Sequence, residues 1–234
     1  MSEKTTYLIT GANRGIGLGL LEAYLLRPNH TIIATVRDPT TSSAALTSLP
    51  TAAGTTLIIL KIDSQSPTDP LNAISTLQTT HNITTIDVVI ANAGLGATWV
   101  PVLQTTPELI RELHEVNTIG PLLLFQATWP LLQKSKNPKF IFMSTGLASF
   151  VLAEHLKAPS AAYGASKAAG AYLARKIHFE HENLTTVILY PGWVKTDLGY
   201  SLAKAIGVPE PTTTLEVSYI LSYVLREAIL RCLR

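Results

Sequence analysis

Tyr163-Gly164-Ala165-Ser166-Lys167 sets a phenol and an ammonium four residues apart. On a helix that spacing puts both on one face, one turn apart. A phenol so placed can protonate a carbonyl oxygen, or take the proton of an alcohol in reverse. The neighbouring ammonium favours the phenolate and is expected to draw its pKa down from about 10. The same spacing also fits an exposed helix pair, so its weight depends on the rest of the chain.

A second cluster lies near the N-terminus. Thr10-Gly11-Ala12-Asn13-Arg14-Gly15-Ile16-Gly17 follows an apolar run and opens a helical stretch. Glycines belong where the backbone turns sharply and where a pyrophosphate approaches without Cβ interference. The helix then aims its amides and positive dipole at the anion. Tight strand–helix packing would use glycines too, but the strand-before, helix-after context favours a dinucleotide. Gly11, Asn13, Arg14, Gly15, Ile16 and Gly17 are therefore candidate cofactor-binding residues. No Gly-Lys-Ser/Thr follows the glycines, which excludes a nucleoside-triphosphatase loop. Arg14 and Arg37 together suit the 2′-phosphate of NADP(H), although Asp38 next door is the kind of residue that binds a ribose diol.

The elements that must position these residues are short. Nearly continuous apolar runs at 7–10, 31–36, 56–62, 87–91, 140–143 and 185–190 predict parallel strands buried on both faces. Amphipathic stretches at 16–26, 70–79, 107–134 and 161–181 predict the helices between them. Residues 40–48 open a further helix, and 64–69 form a loop. Strand and helix in alternation imply one doubly wound α/β domain over residues 1–234. Pro121 and Pro130 predict a kinked or two-part helix, irregular near residues 117–120, where a freed carbonyl can hold water.

Composition agrees with that class. The 234 residues are 47% hydrophobic and 15% charged, which excludes a disordered chain. A net charge of +2 offers nucleic acid or an anionic membrane no electrostatic hold. The lone cysteine, Cys232, rules out an intrachain disulfide and fits a reducing compartment. No basic leader with a long apolar core begins the chain and no apolar run nears the ~18 residues of a membrane span, so a cytoplasmic protein is expected. His178, His181 and Glu182 read as a solvated helix face, not a metal site.

The glycine pattern Thr-Gly-x-x-x-Gly-x-Gly, followed by Tyr163-x-x-x-Lys167, resembles the short-chain dehydrogenase/reductase family. The resemblance runs to about residue 200 and implies a Rossmann-like fold with NADP(H). Asn92-Ala93-Gly94 is similar to the family's Asn-Asn-Ala-Gly, with Ala91 in place of the first Asn. Asp63 resembles the family's Asp near the adenine, and Asn117 its helix-kink Asn, which positions a proton-relaying water. Pro191-Gly192-Trp193-Val194-Lys195-Thr196 is similar to the family's Pro-Gly segment, which implies that the Val194 backbone and the Thr196 hydroxyl hold the nicotinamide carboxamide. The family's carbonyl-binding serine has three candidates: Ser144, Thr145 and Ser149. Ser144 and Thr145 rank first, because a rigid strand end places chemistry better than a loop.

A narrower resemblance links residues 15–23 to sniffer-like carbonyl reductases. Residues 124–128, 157–159 with 162–164, and 175–180 resemble fungal norsolorinic acid ketoreductases. It implies an NADPH-dependent ketoreductase of secondary metabolism acting on a hydrophobic, aromatic polyketide-type ketone. A detoxifying carbonyl reductase and a catalytically silent NADP(H)-binding regulator are the alternatives. Trp99, Phe150, Trp193 and Tyr200 fall after strand ends and suit an aromatic wall, and 200–211 suits a mobile lid. The family's seventh strand has no counterpart in 216–234, a helix-like stretch. The edge left bare is covered by that helix or by a second copy in a homo-oligomer, or the chain is a shortened form of impaired stability.

Overall fold

Strands buried on both faces cannot stand alone; each apolar run must find a neighbour and helices above and below. A computed structural model, describing residues 4–96 and 98–215, meets that demand with one parallel sheet. Its strands are β1 (Thr5–Thr10), β2 (His30–Val36), β3 (Thr56–Lys61), β4 (Val88–Ala91), β5 (Lys139–Met143) and β6 (Thr185–Leu189). Their order across the sheet is β3-β2-β1-β4-β5-β6. The helices are α1 (Gly15–Leu25), α2 (Pro39–Thr47), α3 (Asp69–Thr79), α4 (Pro107–His114), α5 (Gly120–Leu132), α6 (Ala161–Glu180) and α7 (Asp197–Ile206). None of them is long and apolar enough to cross a membrane.

Side chains alternate across the sheet with the strand period of two. Leu8, Ile33, Phe140 and Phe142 face one core, with Leu77 of α3, Leu131 of α5 and Ile177 of α6. Tyr7, Ile9, Ile32 and Ile90 face the other, with Leu21 of α1 and Leu46 of α2. Strand order reverses between β1 and β4, which opens a crevice at the carboxyl ends of the strands.

The 107–134 segment is divided as its prolines require. α4 ends at His114, a π-helical turn runs over Glu115–Ile119, and α5 resumes at Gly120. Pro121 has no N–H to return to the carbonyl of residue 117, which loosens the ladder there. Pro130 stays within α5.

The expected lid is mostly helix. Thr196 caps α7 by accepting from the Gly199 amide, and Gly207 ends it at φ +72°. Beyond it, Thr213 pairs with Val194, and Lys195 binds Glu210 at 2.7 Å. Capping and this short pairing seat 200–211 against the sheet end, where loop composition alone suggests mobility. Among the described residues no seventh strand follows, β6 pairs with β5 alone, and Ile188 is 41% exposed. The helix expected over 216–234, and Cys232, lie outside the described residues.

Phe142 is 1% exposed and lies under the site. Phe142→Ala is expected to cost about 3–5 kcal/mol of unfolding free energy. Urea denaturation checks this; a loss below about 1 kcal/mol would mean that the core collapses around the gap.

Candidate active site

The turn after β1 is built to leave space. Gly11 and Gly15 take φ of +63° and +53°, where a Cβ is strained. A Cβ at Gly17 would fall 2.2 Å from the Gly11 carbonyl oxygen and 2.5 Å from Asn92 Nδ2. Asn92 holds the turn from below: its Nδ2 donates to the Thr10 oxygen at 2.8 Å and the Gly11 oxygen at 3.3 Å. Thr10 Oγ1 accepts from the amides of Asn92 and Ala93, both at 3.0 Å. At the N-terminus of α1 no side chain caps the amides and no acidic residue sits in the first turn. The helix end is left to an anion, as a pyrophosphate requires.

The second-strand end sorts the charges. Asp38 caps α2, accepting from the Thr40 amide at 2.9 Å and the Thr40 hydroxyl at 2.6 Å. Those bonds hold its carboxyl below the usual range and occupy it. Arg14 and Arg37 are exposed, and no carboxylate of the described residues pairs with either. Asn13 Nδ2 donates to Ser42 Oγ at 3.2 Å, tying the turn to α2. This cradle and its two unpaired guanidinium groups fit a dinucleotide that carries a further phosphate.

The candidate proton-transfer residues Tyr163 and Lys167 stand on α6. Tyr163 is 8% exposed, Lys167 3%, and Ser166 and Asn117 not at all. Lys167 Nζ donates to the Met143 oxygen at 2.9 Å and sits 5.2 Å from the Phe142 ring centroid. Asn117 Oδ1 accepts from the Leu95 amide at 2.9 Å, and its Nδ2 donates to the Leu95 oxygen at 2.8 Å and Ser166 Oγ at 3.0 Å. Ser166 Oγ donates on to the Tyr163 oxygen at 2.8 Å. A Cβ at Gly94 would lie 3.2 Å from Lys167 Nζ and 3.3 Å from Asn117 Oδ1, so glycine allows this approach.

Electrostatics departs from expectation at Tyr163. Burial pushes its phenol up to about 12, and the Tyr190 phenol adds to the rise. Lys167 does not draw it down: burial brings that ammonium down to about 8, and its bond goes to Met143. Desolvation dominates at both groups because both side chains are buried.

These groups share one cleft of about 1220 Å³ at the crevice. It is lined by Gly11, Asn13, Arg14, Gly15, Ile16, Arg37, Asp63, Asn92, Gly94, Ser144, Thr145, Tyr163, Lys167, Val194 and Thr196. Gly17 and Asn117 lie outside its lining and act on residues that form it. Asp63 comes two residues after β3, and its Oδ1 accepts from the Gln65 amide. Thr196 Cγ2 would sit 3.4 Å from a Cβ at Gly15, so the β6 end meets the first turn. Thr145 Oγ1 accepts from the Leu147 amide at 3.2 Å, which leaves its hydroxyl proton unspent. Ser149 is outside the lining and accepts from the Leu152 amide. Trp99 and Trp193 line the substrate end, whereas Phe150, 89% exposed, and Tyr200, 44% exposed, do not. Tyr190 and Ser201 also line the cleft without having stood out in the sequence. The capping pair Thr196 and Gly207 was the signal that α7, and with it Ser201, would fold here.

The family model for short chain dehydrogenases matches residues 5–206. The norsolorinic acid ketoreductase nor1 of Dothistroma septosporum is 43% identical over 220 residues, 93% of this chain and 82% of that one. The norsolorinic acid ketoreductase stcE of Emericella nidulans is 43% identical over 92% of this chain and 82% of its own. Among solved structures, an NADPH-bound carbonyl reductase from chicken fatty liver superposes with a TM-score of 0.78 at 28% identity, covering 93% of this chain and 88% of that one. With its glycine turn, its Tyr163–Lys167 pair and its six parallel strands, the chain belongs to the short-chain dehydrogenase family.

Proposed function

We propose that the protein is an NADPH-dependent ketoreductase acting on a hydrophobic, aromatic, polyketide-type ketone. The observation that carries this reading is one continuous cleft lined by the glycine turn at one end and by Tyr163 and Lys167 at the other. The 43% identity to two norsolorinic acid ketoreductases supports the substrate class.

A bound nicotinamide supplies hydride to the carbonyl carbon. Gly11, Gly15 and Ile16 would cradle the pyrophosphate, in a turn that Gly17 lets close on Gly11 and Asn92, with Asn13 held by Ser42. Arg14 and Arg37 would take the 2′-phosphate, and Asp63, Asn92 and Gly94 would hold the rest of the dinucleotide along the same cleft. The Val194 backbone and the Thr196 hydroxyl hold the carboxamide. Thr145, assisted by Ser144, binds the ketone oxygen with the hydroxyl proton that its cap bond leaves unspent. Tyr163 then gives that oxygen its proton. A phenol near 12 is protonated at neutral pH, which suits reduction. Lys167, with donors left beyond Met143, and Asn117, through Leu95 and Ser166, keep the proton path in place.

A panel of aromatic ketones with NADPH, followed by nicotinamide absorbance, tests the activity. Tyr163→Phe is expected to bind NADPH normally yet lose about two to four decades of turnover. Retained turnover would remove Tyr163 as the donor. Arg37→Ala with Arg14→Ala is expected to raise the NADPH KM by about tenfold or more while barely moving that for NADH. Equal losses would show that neither guanidinium meets the 2′-phosphate. The pH profiles of the two directions are expected to differ. Alcohol oxidation needs the phenolate and is expected to climb toward alkaline pH, while ketone reduction, which uses the phenol, is not. Initial rates in both directions check this, and a reduction rate climbing with pH would contradict it.

A further inference from the structure

Two indoles tie α7 to the cleft. Trp99, in the loop after β4, donates its Nε1–H to Ser201 Oγ at 2.9 Å. Trp193, just past β6, donates to the Gly199 oxygen at 3.1 Å. Ser201 Oγ donates in turn to the Leu198 oxygen at 2.8 Å. The Trp99 ring meets Tyr163 edge-on, with centroids 5.3 Å apart and planes at 71°. Leu198 packs in the same cluster. A Cβ at Gly96 would fall 2.7 Å from the Tyr163 ring and 3.1 Å from Leu198 Cδ1. The Tyr163 ring therefore sits in a slot walled by Gly96, Trp99 and Leu198. The Trp99–Ser201 bond, spanning 102 positions of sequence, joins two of those walls.

An indole has one donor and no acceptor. Both indoles of the cleft spend theirs on α7, so each presents only carbon to a ligand. Leu147, Leu202 and Ile206 line the same end. Such a surface rewards apolar area and offers little to a small polar ketone. We propose that the Trp99–Ser201 hydrogen bond determines substrate class. It holds Trp99 and α7 as an apolar clamp beside Tyr163, and so selects flat aromatic ketones over small aliphatic ones. This rests on the reading of Tyr163 as the proton donor to a ketone. Trp99 and Ser201 are positioning residues, since they act through the walls of the slot.

The test compares wild type with Ser201→Ala, Ser201→Thr and Trp99→Phe. For each, kcat and KM are measured with NADPH for a tricyclic aromatic ketone and for a small aliphatic ketone. NADPH affinity is measured separately. Calorimetry gives the affinity of the NADP-loaded protein for a tricyclic aromatic alcohol. Ser201→Ala leaves a partly buried indole N–H unpaired, and Trp99→Phe removes the donor but keeps a ring. Both are expected to raise the aromatic KM by about tenfold, with kcat and the aliphatic KM moving far less. Ser201→Thr, which keeps the hydroxyl, is expected to restore the aromatic KM. NADPH affinity is expected to hold within about twofold in all three.

An aromatic KM in Ser201→Ala within about twofold of wild type would overturn the proposal. So would equal losses for both ketones, or loss of NADPH binding in both Ser201→Ala and Trp99→Phe, since the bond would then serve the fold alone. If wild type reduces neither ketone, the ketoreductase reading fails by itself. The clamp is then decided by calorimetry: weaker binding of the aromatic alcohol to Ser201→Ala supports it, and equal binding overturns it.

Discussion

The site depends on one buried carboxamide. Asn117 has no exposed surface, and both ends of its amide are bonded, to the amide and the carbonyl of Leu95 and to Ser166 on α6. A buried amide must be satisfied, and here satisfying it joins three segments far apart in sequence. The loop after β4, the π-helical turn and α6 are locked at one point. Thr118 adds a second tie, donating to the Ser166 oxygen at 2.8 Å. Without these bonds Tyr163 and Lys167 would still share a helix face, but that face would have no fixed height over the cleft.

The same economy governs charge. Asp38, the residue that argued for a ribose diol, is consumed as a helix cap, while Arg14 and Arg37 beside it pair with no carboxylate among the described residues. At the other end, enclosure works against ionisation. Tyr163 is raised to about 12 and Lys167 lowered to about 8, so each group is pressed toward its neutral form. Enclosed in this way, the Tyr163 phenol holds its proton at neutral pH. The Tyr163 ring is closed in by Gly96, Trp99 and Leu198, whereas Lys167 is closed in by Met143, Phe142 and Gly94.

Much of this was legible before any coordinates. Continuous apolar runs marked all six strands to within two residues, because a parallel sheet buries both faces. The prolines marked the break near Asn117, because a missing donor has a local effect. The direction of the Tyr163 shift was not legible, since its burial comes from three separate segments that only the fold assembles. Nor was the choice among aromatics. Trp99 and Phe150 both follow strand ends, yet the first turns to the cleft and the second to water. The 200–211 stretch misled for another reason: Gly207 and Pro209 suggest a loop, whereas Thr196 and Gly207 together are the two caps of a helix.

The account rests on a ketone carbon meeting the reducing face of a nicotinamide within reach of the Tyr163 phenol. The direct test is to incubate the wild-type protein with a tricyclic aromatic ketone and NADPH deuterated at C4 in each stereochemical position. Mass spectrometry of the product then locates the label. The account predicts an alcohol with deuterium on the carbinol carbon from one of the two labelled cofactors. A cofactor that binds and stays reduced, with the ketone recovered unlabelled, would contradict it.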